Sequence, residues 1–441
     1  MERPGTGLRR ELGTRDLTLF AIASIVGVRW VAAAAHAGTG SILLWLVAAL
    51  VFLIPLANAV ATLTARDPGA GGVYLWARRD FGPWHGFLAF WIYWLATVIW
   101  FPGAAMFYSG AVMYALDIQA GRWTLVAASL GTIWLALGSN MLGVRFGKWT
   151  GLLGTASTWT MGVVFAVAAA LVWRRNGSAN VFVPLPSLNF DTMSFWASIA
   201  FGMTGIELAG MMGAEIRDPA TSIRHAARIS SIFTTLFYAG TTAALLVILP
   251  AGKITELNGL GQAARQAGNV LGAGWLGPLV AGFVLFSAIG QFAGLGSAVA
   301  RMPFAAGADH LLPAMFSLVH PKWGTPHVSM MIFGTLASGL LLAMQLGDTA
   351  QAAYETIVSL TVIAGFLPFV YVFGSAWREG QRLGVVAGGG VTVLAIGCAL
   401  IPGAEIHDVW LFEAKLLAGT AALFLSAAAI YRPEKLQSAS D

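Results

Sequence analysis

Charge is scarce in this sequence: Asp, Glu, Lys and Arg together supply 10% of its 441 residues, where a soluble globular domain carries roughly a quarter. With 57% of residues hydrophobic and a mean hydropathy of +0.74, that shortage excludes a soluble globular fold, a disordered chain and a nucleic-acid binder. Cysteine is almost absent. The single Cys398 lies in an apolar stretch, so no intrachain disulfide and no cysteine-rich metal site is available. At roughly 35 residues for a span and its loop, the chain accommodates about a dozen membrane helices and no separate soluble domain.

What is abundant is long apolar runs. Windows of about 19 residues place twelve transmembrane helices at 17–37, 42–63, 87–116, 125–141, 152–173, 195–214, 229–249, 276–300, 328–346, 356–375, 385–401 and 409–430. An N-terminal signal peptide is the competing reading of Arg9, Arg10 and the small residues Ala32 to Ala35, but Arg29 interrupts its apolar core. The formal charge of +5 is topological. With the N-terminus inside, eighteen Lys and Arg fall on the inner side and five, Arg122, Arg174, Arg175, Lys253 and Arg265, on the outer. Both termini are therefore expected in the cytoplasm of a multi-pass cell-membrane protein, with a prokaryotic inner membrane as the expected setting.

Internal symmetry carries the functional signal. The first span reads Ser24-Ile25-Val26-Gly27-Val28-Arg29-Trp30 and the sixth Phe201-Gly202-Met203-Thr204-Gly205-Ile206-Glu207. In each, a glycine sits mid-span and an ionisable residue follows two positions later. Five spans separate the two, so they open the first and second halves of an inverted repeat, the first over 15–173 and the second over 194–375, with two further helices at 383–430. Glycine costs about 1 kcal/mol in a helix interior, and an unwound turn survives in a bilayer only where it lines a cavity or is buried in protein. Close-packing glycine is the bland alternative for either position alone.

Arg29 and Glu207 are the ionisable residues placed deep in the membrane. Each costs about 2.5 to 3.5 kcal/mol on insertion scales and must face the bundle interior. A buried Arg29–Glu207 ion pair and a substrate or coupling role are both compatible with that placement. Phe201, four residues before Gly205, shares its helical face and is placed to close over a solute. The third-span aromatics Trp91, Tyr93, Trp94, Trp100, Phe101 and Tyr108 are read as mainly lipid-facing or interfacial.

These residues resemble the amino acid, polyamine and organocation superfamily of transporters, amino acid permease-like, and the likeness runs through most of the chain. Asp67-Pro68-Gly69-Ala70-Gly71-Gly72-Val73-Tyr74 with Phe81-Gly82 is similar to the family's first cytoplasmic loop. Gly205-Ile206-Glu207 and Ala214-Glu215-Ile216-Arg217-Asp218-Pro219 are similar to its sixth helix and exit, and 301–326 to the loop before its ninth helix. The resemblance implies an all-α fold with a 5+5 inverted-repeat core, broken helices 1 and 6, and alternating access. It implies a solute site at Ile25, Gly27, Val28, Arg29, Phe201, Thr204 and Gly205, with Phe201 as an aromatic gate and Glu207 in gating or proton coupling. One departure stands out. The family carries a small-residue run where this chain has Gly27-Val28-Arg29, so either the guanidinium itself takes an anionic group or it fills the pocket and pairs with Glu207. Both disfavour a cationic substrate. Sodium sites of related folds would fall on Ser287 or Ser297, whereas the expectation here is proton coupling or exchange through Glu207.

Other signals are weaker. Gly272 to Gly277 matches a dinucleotide fingerprint by letter but follows no strand, Asn176-Gly177-Ser178 is a glycosylation sequon in form, and Gly290 with Gly294 is a helix-packing pair. His36 is read as interfacial, and His310, His320 and His327 lack metal-ligand spacing. The expected function is a secondary transporter, permease or antiporter, of a small zwitterionic or acidic amino acid, with no cofactor, no nucleic-acid partner and no enzymatic constellation. Transport of another organic anion, a channel and a receptor-like sensor are the alternatives.

Overall fold

The computed structural model describes residues 13–431, except 70, 120, 142–143, 184, 186–189, 212, 214–215, 309–311, 319, 324, 347–348 and 404–405. The family-like pair Ala214-Glu215 and His310 lie outside the described residues, as do the side chains of Lys148, Ser297 and Arg301. Among the described residues the chain is helical, and nine helices are long and apolar enough to cross a membrane unaided. α13 and two broken helices complete twelve crossings.

The first crossing is split into α1 (Thr14–Ile25) and α2 (Arg29–His36). α3 (Ser41–Ala48) and α4 (Ile54–Arg66) form the second, joined by a π-helical turn at Ala49–Leu53, and α5 (Val73–Phe81) lies in the connection that follows. Crossings three to five are α6 (Pro83–Ala115), α7 (Arg122–Met141) and α8 (Val144–Asn176). The sixth is split again, into α9 (Phe190–Phe201) and α10 (Glu207–Met211). α11 (Pro219–Ile248) is followed by a connecting helix α12 (Gly259–Leu271), then α13 (Leu276–Ala308), α14 (His327–Met344), α15 (Ala350–Arg378), α16 (Arg382–Ala399) and α17 (Val409–Ile430). The breaks head the first and sixth crossings, in a 5+5 inverted-repeat core with two added helices.

Local chemistry sets several helix starts. Asp218 accepts the Thr221 N–H ahead of Pro219, Thr349 accepts that of Ala352, and Asp408 accepts that of Leu411, each satisfying a donor that a helix N-terminus leaves free. α15 begins six residues before its apolar run, because the Thr349 cap rather than hydropathy decides where the backbone ladder starts. That extension brings Tyr354 and Glu355 onto the helix.

The perimeter is apolar where lipid must meet it. Leu383, Val386, Val393 and Leu394 of α16 and Leu417 and Leu425 of α17 are exposed, as an outer helix in hydrocarbon requires. α6 is the opposite case. Trp91, Trp94, Trp100, Phe101 and Tyr108 are buried and Tyr93 is half-buried, which corrects their reading as lipid-facing residues. Composition locates aromatics in a span, but only packing decides whether that span is central, and α6 is enclosed by α7, α12, α13, α14 and α15.

At the face carrying Thr14 and Tyr431, an ionic cluster joins three segments. Arg66 and Arg79 both pair with Glu379, the latter at 3.2 Å, Arg79 holds Asp80 at 2.8 Å through two bonds, and Arg378 donates to the Asp80 carbonyl. Burial pushes the Asp80 carboxyl up, but the bonds from Arg79 and Ser375 and the charges of Arg79 and Arg378 outweigh it and hold it below its usual range. The opposite face is marked by His36, whose Nδ1 meets the Ile254 carbonyl.

Candidate functional site

Both expected breaks are present, and they touch. Helix 1 is interrupted between Ile25 and Arg29 and helix 6 between Phe201 and Glu207. Gly205 has φ +122°, and a Cβ there would lie 2.9 Å from the Ser24 carbonyl oxygen and 3.1 Å from the Ile25 nitrogen. Glycine at 205 thus meets two requirements, a left-handed backbone and backbone-to-backbone approach of the two breaks.

A buried tyrosine, unforeseen from sequence, ties the breaks together. The Gly27 N–H donates to the Tyr238 hydroxyl at 2.8 Å, and that hydroxyl's own proton is shared between the carbonyls of Ile25 at 2.8 Å and Gly202 at 3.1 Å. Its ring stacks on Trp45 with centroids 4.2 Å apart. Gln291 of α13 approaches the Val26 carbonyl at 3.5 Å and accepts from the Tyr108 hydroxyl. No local pattern in α11 marks Tyr238, since its role exists only because α11 packs on α1, α2 and α3.

Between the breaks lies a cavity of about 70 Å³. Ser24, Ile25 and Trp30 line it from the first crossing, Phe201, Thr204, Gly205 and Glu207 from the sixth, and Tyr93, Thr97 and Trp100 from α6. Glu207 is the one charged residue among them. The Phe201 ring packs tilted on Trp30 with centroids 5.3 Å apart and edge-on to Phe366 at 5.8 Å, and it lies where a Cβ at Gly365 would stand, 2.2 Å from Cε2. The Thr204 hydroxyl donates to the Phe201 carbonyl at 2.8 Å, and the residue lines the same space. A larger recess of about 240 Å³ lies at the His36 face between α6, α12 and α13, where Arg265 pairs with Asp117 at 2.6 Å. It is remote from both breaks.

Glu207 is buried and bonded within its own neighbourhood. It accepts from the Tyr93 hydroxyl at 3.0 Å and from the Gly205 N–H at 2.8 Å, so it holds the break and reaches across to α6. Arg29 is elsewhere. Its guanidinium lies 4.0 Å from the Trp30 ring centroid and 5.4 Å from that of Trp100, and a Cβ at Gly103 would meet its Nη1 at 3.2 Å. It is 1% exposed, and none of its three nitrogens has a hydrogen-bond partner. Among the described residues Arg29 and Glu207 form no ion pair. The structure brings Ile25, Phe201, Thr204, Gly205 and Glu207 to the cavity, leaves Gly27 and Val28 just behind it, and sets Arg29 behind its Trp30 and Trp100 wall.

Of the sodium-site expectations, Ser287 is described and bonds the Thr158 hydroxyl at 2.6 Å. Gly290 serves packing, as a Cβ at Gly154 would lie 2.4 Å from its Cα. No group of three or more His, Cys, Asp or Glu able to hold a metal occurs among the described residues.

Two broken helices meeting at a cavity inside a twelve-crossing bundle define a membrane transporter of the amino acid, polyamine and organocation class. A family model described as amino acid permease matches residues 12–382, and the chain belongs to that family. An uncharacterised transporter of Legionella pneumophila is 22% identical over 438 residues, covering 93% of this chain and 94% of its own. A probable agmatine/putrescine antiporter of Lactococcus lactis is 23% identical over 83% of this chain and 80% of its own. A serine/threonine exchanger of Bacillus subtilis is 24% identical over 84% and 85%.

Proposed function

We propose that the protein is a secondary active transporter, a permease or antiporter, that moves a small zwitterionic or acidic amino acid across the cell membrane by alternating access. The observation that carries this reading is the Arg29 guanidinium, buried without a hydrogen-bond partner directly behind the cavity wall. A buried guanidinium with none of its hydrogen bonds made is expensive, and a solute carboxylate satisfies it with two parallel bonds once Trp30 and Trp100 move aside. Glu207, which lines that space, suits an α-ammonium group. A zwitterion uses both charges, and a second carboxylate would face Glu207, so the neutral amino acids are favoured over the acidic ones. Ile25, Gly27, Val28 and Arg29 supply the first-helix side of the site and Phe201, Thr204 and Gly205 the sixth. Phe201 closes over the solute, and Glu207 opens or shuts the break according to its proton.

A second reading has one observation in its favour. Glu207 is the sole charged group lining the cavity, which suits an amine, and a relative is named as an agmatine/putrescine antiporter. Purified protein in liposomes, offered labelled serine, alanine, glutamate, agmatine and putrescine in turn, separates the two. Entry of serine or alanine, abolished by Arg29→Ala and weakened less by Glu207→Gln, is the expected result. Efficient entry of putrescine alone overturns it, because Arg29 would then face a like charge in a medium of low dielectric.

A further inference from the structure

Arg29 has acidic company that the sequence spacing hid. The loop before α12 folds back on α2: a Cβ at Gly259 would meet the Ala32 Cβ at 3.0 Å, and a Cβ at Gly110 would meet Asn258 Oδ1 at 3.0 Å. Ala32 stands three residues from Arg29 on one helical face, so this contact sets the segment that holds Glu256 against the part of α2 that holds Arg29. From the other side, Ile357 of α15 and Arg29 Nη1 flank the same point on Gly103, at 3.0 and 3.2 Å from its Cβ position. Glu355 is two residues away. Glu256 is 5% exposed, its Oε2 has no hydrogen-bond partner, and its charge interacts with both Glu355 and Arg29. Glu355 accepts from Gln351 at 3.1 Å.

We propose that Glu256 and Glu355, on segments that pack against Arg29, form a proton-binding site distinct from Glu207, and that a proton there and a carboxylate on Arg29 bind together. Charge balance is the reason. With both carboxylates ionised the cluster carries a net negative charge in a buried volume, and two close like charges do not both ionise there. One proton makes the cluster neutral. It also removes the second anion competing for Arg29, which leaves the guanidinium able to hold a solute carboxylate. The groups facing Glu256 are Arg29 from α2, Glu355 and Tyr354 from α15, and, beyond Arg29, Tyr108 from α6 and Tyr238 from α11. His36 bonds its loop at Ile254, and Lys253 on that loop is exposed. Burial first, and the Glu355 charge second, push the Glu256 carboxyl up to about 8 against the pull of Arg29. The coupling to solute rests on the transporter reading above; the proton site does not.

Infrared titration of the purified protein in lipid vesicles, with no solute present, reads the carbonyl stretch of a protonated carboxyl directly. The expected result is a band that disappears as pH rises through the neutral range and is missing in Glu256→Gln but kept in Glu207→Gln. Glu355→Gln should lower its midpoint and Arg29→Gln should raise it, each by roughly one unit or more, a tenfold change in proton affinity. A midpoint indifferent to Glu355→Gln, or a band that survives Glu256→Gln, overturns the proposal. The opposite signs for two folded variants keep the test valid even where one substitution destabilises the protein. Should the band behave as expected while labelled serine, alanine and glutamate all fail to enter liposomes, the transport reading falls and the proton site stands.

Discussion

The Tyr238 hydroxyl and the Gly27 N–H are 2.8 Å apart, and through that bond a single side chain of α11 holds both helix breaks. Its proton is offered to Ile25 in the first break and Gly202 in the sixth. The Gly27 N–H, in the first-helix break, is therefore occupied by the protein's own hydroxyl in this conformation. A solute using that N–H has to displace Tyr238.

Tyr238→Phe keeps the ring stacked on Trp45 and strands the Gly27 N–H. An unsatisfied buried donor costs about 1 to 3 kcal/mol, so a lower melting temperature in detergent and at least a tenfold slower exchange of labelled amino acid in liposomes are expected. Unchanged values for both would show that the hydroxyl does not hold the breaks.

Gly205→Ala places a methyl 2.9 Å from the Ser24 carbonyl oxygen at φ +122°. Neither the backbone nor the neighbour can give, since both belong to breaks that the bundle clamps. We expect loss of transport with the protein still inserted, whereas Gly240→Ala, with nothing within 4 Å of its Cβ position, should transport as the parent does. Equal activity of the two variants refutes the close-approach account.

Glu207 and Arg29 make an instructive pair because they are not bonded to each other. If they formed a buried ion pair, removing one partner would cost about 3 to 5 kcal/mol and removing both would recover much of it. With Glu207 held by Tyr93 and Gly205 instead, Arg29→Ala and Glu207→Gln should add in a double-mutant cycle within about 0.5 kcal/mol. Strong coupling in melting data would restore the ion-pair reading. Glu207→Gln should also flatten the pH dependence of uptake; an unaltered profile would make the residue purely structural.

The excess of Lys and Arg in the connections on one side of the expected crossings predicts that this side is cytoplasmic. Cysteines introduced singly at Gly69 and Asn176 are expected to differ in intact cells, with an impermeant maleimide reaching Asn176 and not Gly69. The reverse pattern inverts the topology.

Much of the architecture was readable beforehand, for a definite reason. In hydrocarbon every backbone group must be satisfied within its own helix, so apolar length alone marks the crossings, and a glycine followed by a charge marks where the rule is suspended. The two breaks, at Gly27 and Gly205, were legible on those grounds. Phe201 does line the cavity, but not by the shared helical face with Gly205 that the sequence suggested, because the chain is unwound between Phe201 and Glu207.

The rest depends on contacts between segments distant in sequence. Tyr93 is ordinary in its own helix and becomes the partner of Glu207 only because α6 is enclosed at the centre of the bundle. Tyr238 lies 211 residues from the glycine it holds. Glu256 reads as a loop residue and Glu355 as one just short of a span, yet the contact of Gly259 with Ala32 on α2 and the Thr349 cap on α15 place both on segments that pack near Arg29. Hydropathy and spacing determined how many times the chain crosses and where it must break, since those follow from the solvent each segment meets. Which groups surround Arg29 and Glu207 was decided by tertiary packing, because electrostatics in a low-dielectric interior depend on distance in space and not on distance along the chain.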